Sequence, residues 1–319
     1  MESPLVSVVC LCYNHERFVA EALESVLQQT YSNLEVIVVD DCSTDESVSI
    51  LKKVVSNRSH KIQLLELKQN LGNCKAFNRG LALATGDFII DFATDDVMLS
   101  DRIERQVRFF EKQQENVGVV FTDAIYINEN GGLIRNHYDY LFKKKLIDHV
   151  PVGDVFRDVL ATYFISGPTM MVRGQVMDAL HGYDEDLAYE DFDFWIRASR
   201  DFQFGFLNEK TTKVRKSAAS MSTGWYKLGD KQLHSTYLVC LKAEKLCHDE
   251  RDRDALRWRV LYEFKQAVFS RNKSEAKLFA ALLKRLERVP ISFFLIQAAS
   301  WFPLPWSWMR DKYHQLKYN

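Results

Sequence analysis

The chain has 319 residues, 47% of them apolar and 27% charged, and a formal net charge of −1 at pH 7. That length suits one large α/β domain with an appendage, or two domains, and the composition is that of a globular protein. A charge balance this close to neutral gives no ground for nucleic-acid binding, and no apolar run approaches the roughly 20 residues needed to cross a bilayer. The six cysteines (Cys10, Cys12, Cys42, Cys74, Cys240 and Cys247) form no CxxC pair and have no His at zinc spacing. They predict a reducing, cytoplasmic setting without structural disulfides. The N-terminus shows no basic segment followed by an apolar one, so no secretory signal is expected.

In chain order, Leu5–Leu11 is a nearly continuous β-branched run that reads as a buried parallel strand. Cys12-Tyr13-Asn14-His15 is the following turn. An apolar stripe of Phe18, Val19, Ala22, Leu23, Val26 and Leu27 predicts a helix over 17–30. Leu34–Val39 is a second buried strand ending on Asp40-Asp41. Ser43, Thr44 or Asp45 can cap a helix that runs to about Ser56. Ile62–Leu67 is a third strand, leading through Asn70-Leu71-Gly72-Asn73 into a helix over 74–84. Phe88–Phe92, entered from Gly86-Asp87, is a fourth strand that delivers Asp95-Asp96. The alternation β-α-β-α-β-α-β predicts a Rossmann-like, mostly parallel, doubly wound α/β sheet.

The later chain changes character. A helix is expected over 100–114, a strand over 117–124, and a hairpin at Asn130-Gly131-Gly132. The aromatic, basic stretch 137–150 has no clear period and reads as a loop over the cleft. Short helices are expected over 155–163 and 175–180, with a strand at Met170-Met171-Val172 between them. A further helix starts near Glu190-Asp191, where negative charge favours a helix N-terminus. Beyond Ser222 the pattern is helical, over about 226–246, 252–270 and 274–288. Residues 251–319 carry 14 Lys and Arg against 6 Asp and Glu. This basic tail ends in Trp301, Trp306 and Trp308, which suit a membrane interface or an apolar face docked on the catalytic domain or a second copy.

In open α/β sheets ligands bind at the carboxyl ends of strands. Tyr13, Asp40-Asp41 and Asp95-Asp96 stand at three such ends. Asp95-Asp96 is either a solvated loop capping the next helix or a carboxylate pair for a divalent cation that holds a diphosphate. Asp191 is either a helix cap or a reacting carboxylate. There is neither GxGxxG nor GxxxxGK[ST], which excludes an ordinary dinucleotide site and a P-loop.

Taken together, Val6-Ser7-Val8 before Tyr13-Asn14, the run Ala22–Tyr31, Glu35–Asp45, Asn70-Leu71-Gly72, Asn78, Gly86–Ile89, Asp95-Asp96, and Gly182–Glu185 before Glu190–Arg197 resemble the family 2 inverting glycosyltransferases of the GT-A fold. The resemblance covers roughly residues 5–222. It implies a catalytic domain over 1–222, with a nucleotide-sugar half over 1–98 and an acceptor half over 99–222. The helical remainder, 223–319, lies outside it. By position, Tyr13 and Asp41 would contact the nucleobase, with Asn14, Asn70, Gly72 and Asn78 also at the nucleotide. Asp95 would sit near the ribose, Asp96 would ligate Mg²⁺ or Mn²⁺, and Asp191 would be the general base, with Glu190, Arg215 and Lys216 secondary.

Two positions depart from the common pattern: Ala93 replaces the first Asp of Asp-x-Asp-Asp, and Ser217 stands where many members have a His before Ser220-Met221-Ser222. The implied activity is transfer from a UDP- or dTDP-sugar to a saccharide or lipid-linked saccharide in cell-surface polysaccharide or O-antigen assembly, at the inner face of a membrane. The competing readings are a non-catalytic nucleotide-sugar-binding or scaffolding subunit, and a nucleotidyltransferase. The latter would need a Gly-rich cationic loop where Cys12–Arg17 stands.

Overall fold

The computed structural model describes residues 3–56, 62–217 and 226–299. The first part alternates as expected: β1 (Val6–Cys12), α1 (Val19–Leu27), β2 (Leu34–Asp40), α2 (Ser47–Ser56), β3 (Ile62–Glu66), α3 (Asn73–Leu81) and β4 (Phe88–Ala93). These four strands are parallel, in the order β3-β2-β1-β4. Alternate residues of each strand enter different cores, because a strand buried on both sides points successive side chains to opposite faces. Val8, Cys10, Val36, Val38, Ile90 and Phe92 face α1 and a later helix. Val9, Leu11, Ile37, Val39 and Ile89 face the other way, toward α3. Gly80 lets α3 lie close to the sheet, since a Cβ there would strike the side chains of Val9 and Val39.

The chain then adds β5 (Val97–Met98), α4 (Arg102–Phe110), β6 (Val117–Asn128), β7 (Leu133–Asn136), α5 (His137–Lys143), α6 (Phe156–Ala161), β8 (Met171–Arg173), α7 (Gly174–Leu180), α8 (Asp191–Asp201) and β9 (Gln203–Lys216). β8 lies antiparallel between β4 and β6, β9 runs parallel to β6, and β5 pairs antiparallel with β9 at the far edge. The expected hairpin forms, with β6 and β7 joined through Asn128–Gly132.

Two expectations are corrected here. The stretch read as a loop over 137–150 begins with a helix, α5, whose His137, Tyr138 and Leu141 are buried. The 14-residue strand β9 had no counterpart in the sequence reading. Its register against β6 slips between Thr122 and Asp123 and again before Ala124, and such bulges break the two-residue period by which a strand is recognised. The helix expected over 17–30 is also shorter, ending at Leu27.

Four helices follow: α9 (Lys231–Leu246), α10 (Glu250–Phe269), α11 (Lys273–Arg285) and α12 (Ile291–Ala299). Their apolar residues, including Val239, Cys240, Val260, Phe264 and Phe279, join one core with Phe156 of α6 and Phe192 and Phe194 of α8. The core thus crosses the boundary expected at 222/223. Ser220–Ser222 and the Trp-bearing segment after residue 300 lie outside the described residues. Buried ion pairs tie α9 and α10 down. Asp252 accepts from Arg157 (2.7 Å) and Arg200 (3.1 Å), and Lys242 reaches both Asp184 and Asp193 at 2.5 Å. Arg259 pairs with Glu263 at 3.1 Å, donates Nε–H to the Leu160 carbonyl at 2.8 Å and lies 4.2 Å over the Tyr163 ring.

Removing one partner of a buried pair leaves the other charge in a medium that solvates it poorly. Arg259→Ala is expected to lower unfolding free energy by roughly 3–5 kcal/mol in urea titration. Arg259→Met with Glu263→Leu should recover most of that loss.

Candidate active site

The end of β4 is held by its neighbours before it presents any carboxylate. Thr94 N–H and the Thr94 hydroxyl both donate to the Leu11 carbonyl at 2.9 Å, and His15 Nδ1 lies 2.9 Å from the same hydroxyl. A tight turn, Asp96 N–H to the Ala93 carbonyl at 3.1 Å, then aims Asp96 inward. Pairing of Val97 with Lys213 brings the end of β9 alongside. The backbone N–H of Arg215 donates to Asp96 Oδ1 at 2.7 Å, and its Nε–H to the Asp95 carbonyl at 2.8 Å. The rest of the Arg215 guanidinium is bound to Glu21 at 2.7 Å and stacked on Phe18. Arg215 is therefore a brace for the acidic turn. Asp96 Oδ2 has no hydrogen bond among the described residues. Burial, and then the Asp95 charge, push the Asp96 carboxyl well above the usual range.

Asp191 is the first residue of α8. The N-cap residue, Glu190, makes no side-chain cap bond, so the cap reading fails for this pair. The Asp191 carboxylate rests against the Cα of Gly167, where any Cβ would collide with it. It accepts no hydrogen bond from the described residues. Burial, then Glu190 and Asp91, raise its pKa well above the usual value, and Lys216 opposes them. Glu190 is held by the Asn73 amide at 2.5 Å. Asp91, on β4, is raised by burial and by Glu190, while a hydrogen bond with the buried Tyr183 hydroxyl opposes the shift.

The two acidic groups share a neighbourhood. The Lys216 ammonium interacts electrostatically with Asp96, Asp95 and Asp191. The Tyr126 hydroxyl feels both Asp96 and Asp191 and lies 3.4 Å from Ser166 Oγ, next to Gly167. Burial lowers the Lys216 pKa. Among the described residues no three His, Cys, Asp or Glu side chains gather to hold a metal ion. Asp96, with Asp95 beside it, would supply the carboxylate ligands of a cation. That fits Mg²⁺ or Mn²⁺, which accept one or two carboxylates and complete their shell with phosphate oxygens and water. A cation would also offset the crowding that raises the Asp96 pKa.

The remaining predicted residues divide into exposed and braced groups. Tyr13 is exposed beside β1, as a stacking residue requires. Asn14 adopts φ 56° and accepts the Thr44 N–H at 2.8 Å, while its own N–H donates to Ser43 Oγ. Asp41 takes the N–H groups of Leu71 (2.7 Å) and Gly72 (2.8 Å), one on each oxygen, so it shapes the loop containing exposed Asn70. Gly72, at φ 84°, makes that turn. Its neighbour Asp40 is buried with Oδ1 unpartnered among the described residues. Asn78 is a different case. Its amide donates to the Tyr183 carbonyl (2.8 Å) and to Glu185, and it accepts the Tyr183 N–H at 2.9 Å. Every polar atom of that side chain therefore clamps α3 to the turn before α8, and none is left for a nucleotide.

Sequence reasoning gave no role to Asp91, Asn73, Gly167, Glu21 or Tyr126. Only Asp91 left a signal, as a lone charge within the apolar run of β4. The others act through contacts distant in the chain, from Gly167–Asp191 and Tyr126–Ser166 to Asn73–Glu190 and Glu21–Arg215.

Solved structures share this fold. S. aureus TarS 1–349 in complex with UDP-GlcNAc superposes with TM-score 0.67 at 19% identity, over 91% of this chain and 83% of that one. The mannosyltransferase PcManGT of Pyrobaculum calidifontis, in complex with GDP-Man and Mn²⁺, gives 0.64 at 17%, over 100% and 86%. Residues 7–173 match the model of glycosyl transferase family 2, and the chain belongs to that family. EpsE of Bacillus subtilis, a glycosyltransferase by name, is 34% identical over 219 residues, 67% of this chain and 74% of EpsE. An uncharacterized glycosyltransferase of Methanocaldococcus jannaschii is 29% identical over 218 residues, 67% and 72% of the two chains. The protein is a glycosyltransferase.

Asp91, Glu190 and Asp191 all have folded pKa values above their unfolded ones. Such groups support the fold fully below about pH 4, and that support is lost as pH rises through the raised values. Asp91→Asn keeps the shape and the Tyr183 contact but removes one of three like charges. It is expected to raise the melting temperature by about 2–4 °C at pH 8, with the gain shrinking toward pH 5.

Proposed function

We propose that the chain transfers a glycosyl group from a nucleoside-diphosphate sugar, UDP- or dTDP-linked, to a hydroxyl of a saccharide acceptor with inversion at the anomeric carbon. The observation that carries this reading is the pair Asp96 and Asp191. Both interact electrostatically with one Lys216 ammonium and one Tyr126 hydroxyl, and each has carboxylate oxygen free of hydrogen bonds among the described residues. The UDP-GlcNAc bound by TarS and the GDP-Man bound by PcManGT support a nucleotide-sugar donor.

In this reading Tyr13 stacks on the nucleobase, and Asp41 sets the edge of the base pocket through Leu71 and Gly72, with Asn14 and Asn70 beside it. Asp95 stands near the ribose. Asp96 would hold Mg²⁺ or Mn²⁺ against the diphosphate, and that cation, when bound, offsets negative charge on the leaving group. Lys216 supports the same charge from the side of β9. An acceptor hydroxyl has a pKa far above 7 and needs a base within hydrogen-bond reach as it attacks. Asp191 takes that proton as the hydroxyl oxygen bonds to the anomeric carbon and the bond to the diphosphate breaks on the opposite face. Glu190 and Asp91 raise the proton affinity of Asp191, and the missing side chain of Gly167 leaves room for the Asp191 carboxylate.

The setting follows from the C-terminal part. No helix among the described residues is long and apolar enough to cross a membrane. α12 nevertheless exposes Ile291 (78%), Phe294 (52%) and Leu295 (66%). With the basic residues Lys284, Arg285 and Arg288 before it, this face supports peripheral attachment to a cell membrane and an acceptor carried on lipid, as in cell-surface polysaccharide or O-antigen assembly.

Asp191→Asn is expected to fold normally and to lose transfer by about 10²–10⁴-fold in kcat, the usual size of a general-base contribution. Full activity would remove Asp191 from the mechanism. Asp96→Ala should abolish the gain in nucleotide affinity that Mn²⁺ gives in calorimetry, and an undiminished gain would refute the ligand assignment.

A further inference from the structure

Arg135 is a cation whose hydrogen-bonding capacity the fold leaves open. It sits on β7, half-buried, with its guanidinium 3.8 Å from the Tyr140 ring centre and 5.1 Å from that of Tyr126. Among the described residues it makes no ion pair and no side-chain hydrogen bond. Stacking of this kind fixes the plane of a guanidinium while leaving its N–H donors in that plane free, the geometry that binds carboxylate or phosphate in a forked pair. The contrast with Arg215 is direct, since that guanidinium is fully engaged by Glu21 and the backbone.

The surroundings of Arg135 also call for an anion. Lys216 lies 5.0 Å from the same Tyr126 ring. His137, buried on α5 with Nε2 against the Phe164 carbonyl, is 5.8 Å from Tyr126 between ring centres. The positive charge of Arg135 disfavours protonation of both Lys216 and His137. Lys216 interacts electrostatically with Asp95, Asp96 and Asp191, which the proposed reaction already uses. Tyr126 connects the two regions. Its ring carries Arg135, and its hydroxyl lies by Ser166, one residue from the Gly167 on which Asp191 rests. A group held by Arg135 would therefore lie on the acceptor side of the base, on elements that follow residue 99.

We propose that Arg135, stacked between Tyr126 and Tyr140, binds an oxyanion of the acceptor, so that the enzyme acts on an acidic acceptor carrying a carboxylate or a phosphate next to the reacting sugar. This rests on the glycosyl-transfer reading of the site and names its acceptor class. The test uses the full chain with Mn²⁺ and a saturating nucleoside diphosphate (UDP, dTDP or GDP, whichever binds most tightly), which keeps added anions out of the diphosphate position. Glucuronate and glycerol 3-phosphate are titrated by calorimetry, with glucose as the neutral control.

The wild type is expected to bind one of the two anions saturably and more tightly than glucose. Arg135→Gln should weaken that binding by about tenfold or more with nucleotide affinity unchanged, and Arg135→Lys should restore part of it. Preference for glucuronate assigns a carboxylate, and preference for glycerol 3-phosphate a phosphate. No anion binding in the wild type, or equal binding in Arg135→Gln, overturns the proposal. A parallel fall in nucleotide affinity would also overturn it, by making Arg135 a donor-phosphate contact. Failure of every nucleotide to bind the wild type would instead remove the glycosyl-transfer reading itself.

Discussion

Asp91, Asp95, Asp96, Glu190 and Asp191 are drawn from two distant parts of the chain into partly dehydrated surroundings, where Glu190 and Asp91 repel Asp191 and Asp95 repels Asp96. Everything around them answers that repulsion. The Arg215 N–H binds Asp96, the Arg215 guanidinium braces the Asp95 carbonyl, the Asn73 amide binds Glu190, and the Tyr183 hydroxyl serves Asp91. Among the described residues the carboxylates of Asp191 and Asp95 accept no hydrogen bond, and Asp96 keeps Oδ2 unbonded. A site that holds like charges together costs stability, and enzymes commonly accept that cost where unpaired charge is the working part.

The means of assembly is strand β9. Running beside β6 and pairing with the two-residue strand β5, it returns the chain to the end of β4 and sets Arg215 and Lys216 against the acidic turn. The departure of Ser217 from the common His therefore does not leave this corner empty. The cationic contribution comes from the two residues before it, one acting through its backbone and guanidinium and the other through its ammonium. In the same way α8 is positioned from behind. Arg197 bonds Asp193 and the carbonyls of Leu180 and Gly182, Lys242 reaches Asp193 from α9, and Asn78 clamps the Gly182–Tyr183 turn. The C-terminal helices thus help to fix the helix that begins with Asp191, although the family match ends at residue 173.

The two halves of the sheet differ in chemistry. Carboxylates and backbone amides dominate around β1, β2 and β4, whereas β6, β7 and α5 contribute aromatic rings and cations: Tyr126, Tyr138, Tyr140, Arg135 and His137. Aromatic walls suit the apolar faces of sugar rings, and the stacked guanidinium adds charge selection on top of shape. The departure of 137–143 from the expected loop matters here, because a helix holds Tyr140 against Arg135 more firmly than an irregular loop could.

The sequence alone determined the parallel strands and helices of the first 98 residues, since runs such as Val6–Leu11 and Val36–Val39 are buried on both faces and carry that burial in their composition. It also determined the acidic strand ends, because their order and spacing along the chain mark the family. Only the tertiary structure decided what each acidic residue does. Asp41 and Asn78 proved to be bound to backbone, Asp91 proved to lie beside Glu190, and Arg135 proved to be stacked on tyrosine rings with no ion pair among the described residues, none of which local periodicity can express. β9 stayed illegible for the same reason, since its bulges are set by pairing with β6 and not by its own residues. The physical cause is common to all of them: burial patterns are local and leave a trace in sequence, whereas the electrostatic neighbours of a buried charge are chosen by the packing of elements far apart in the chain.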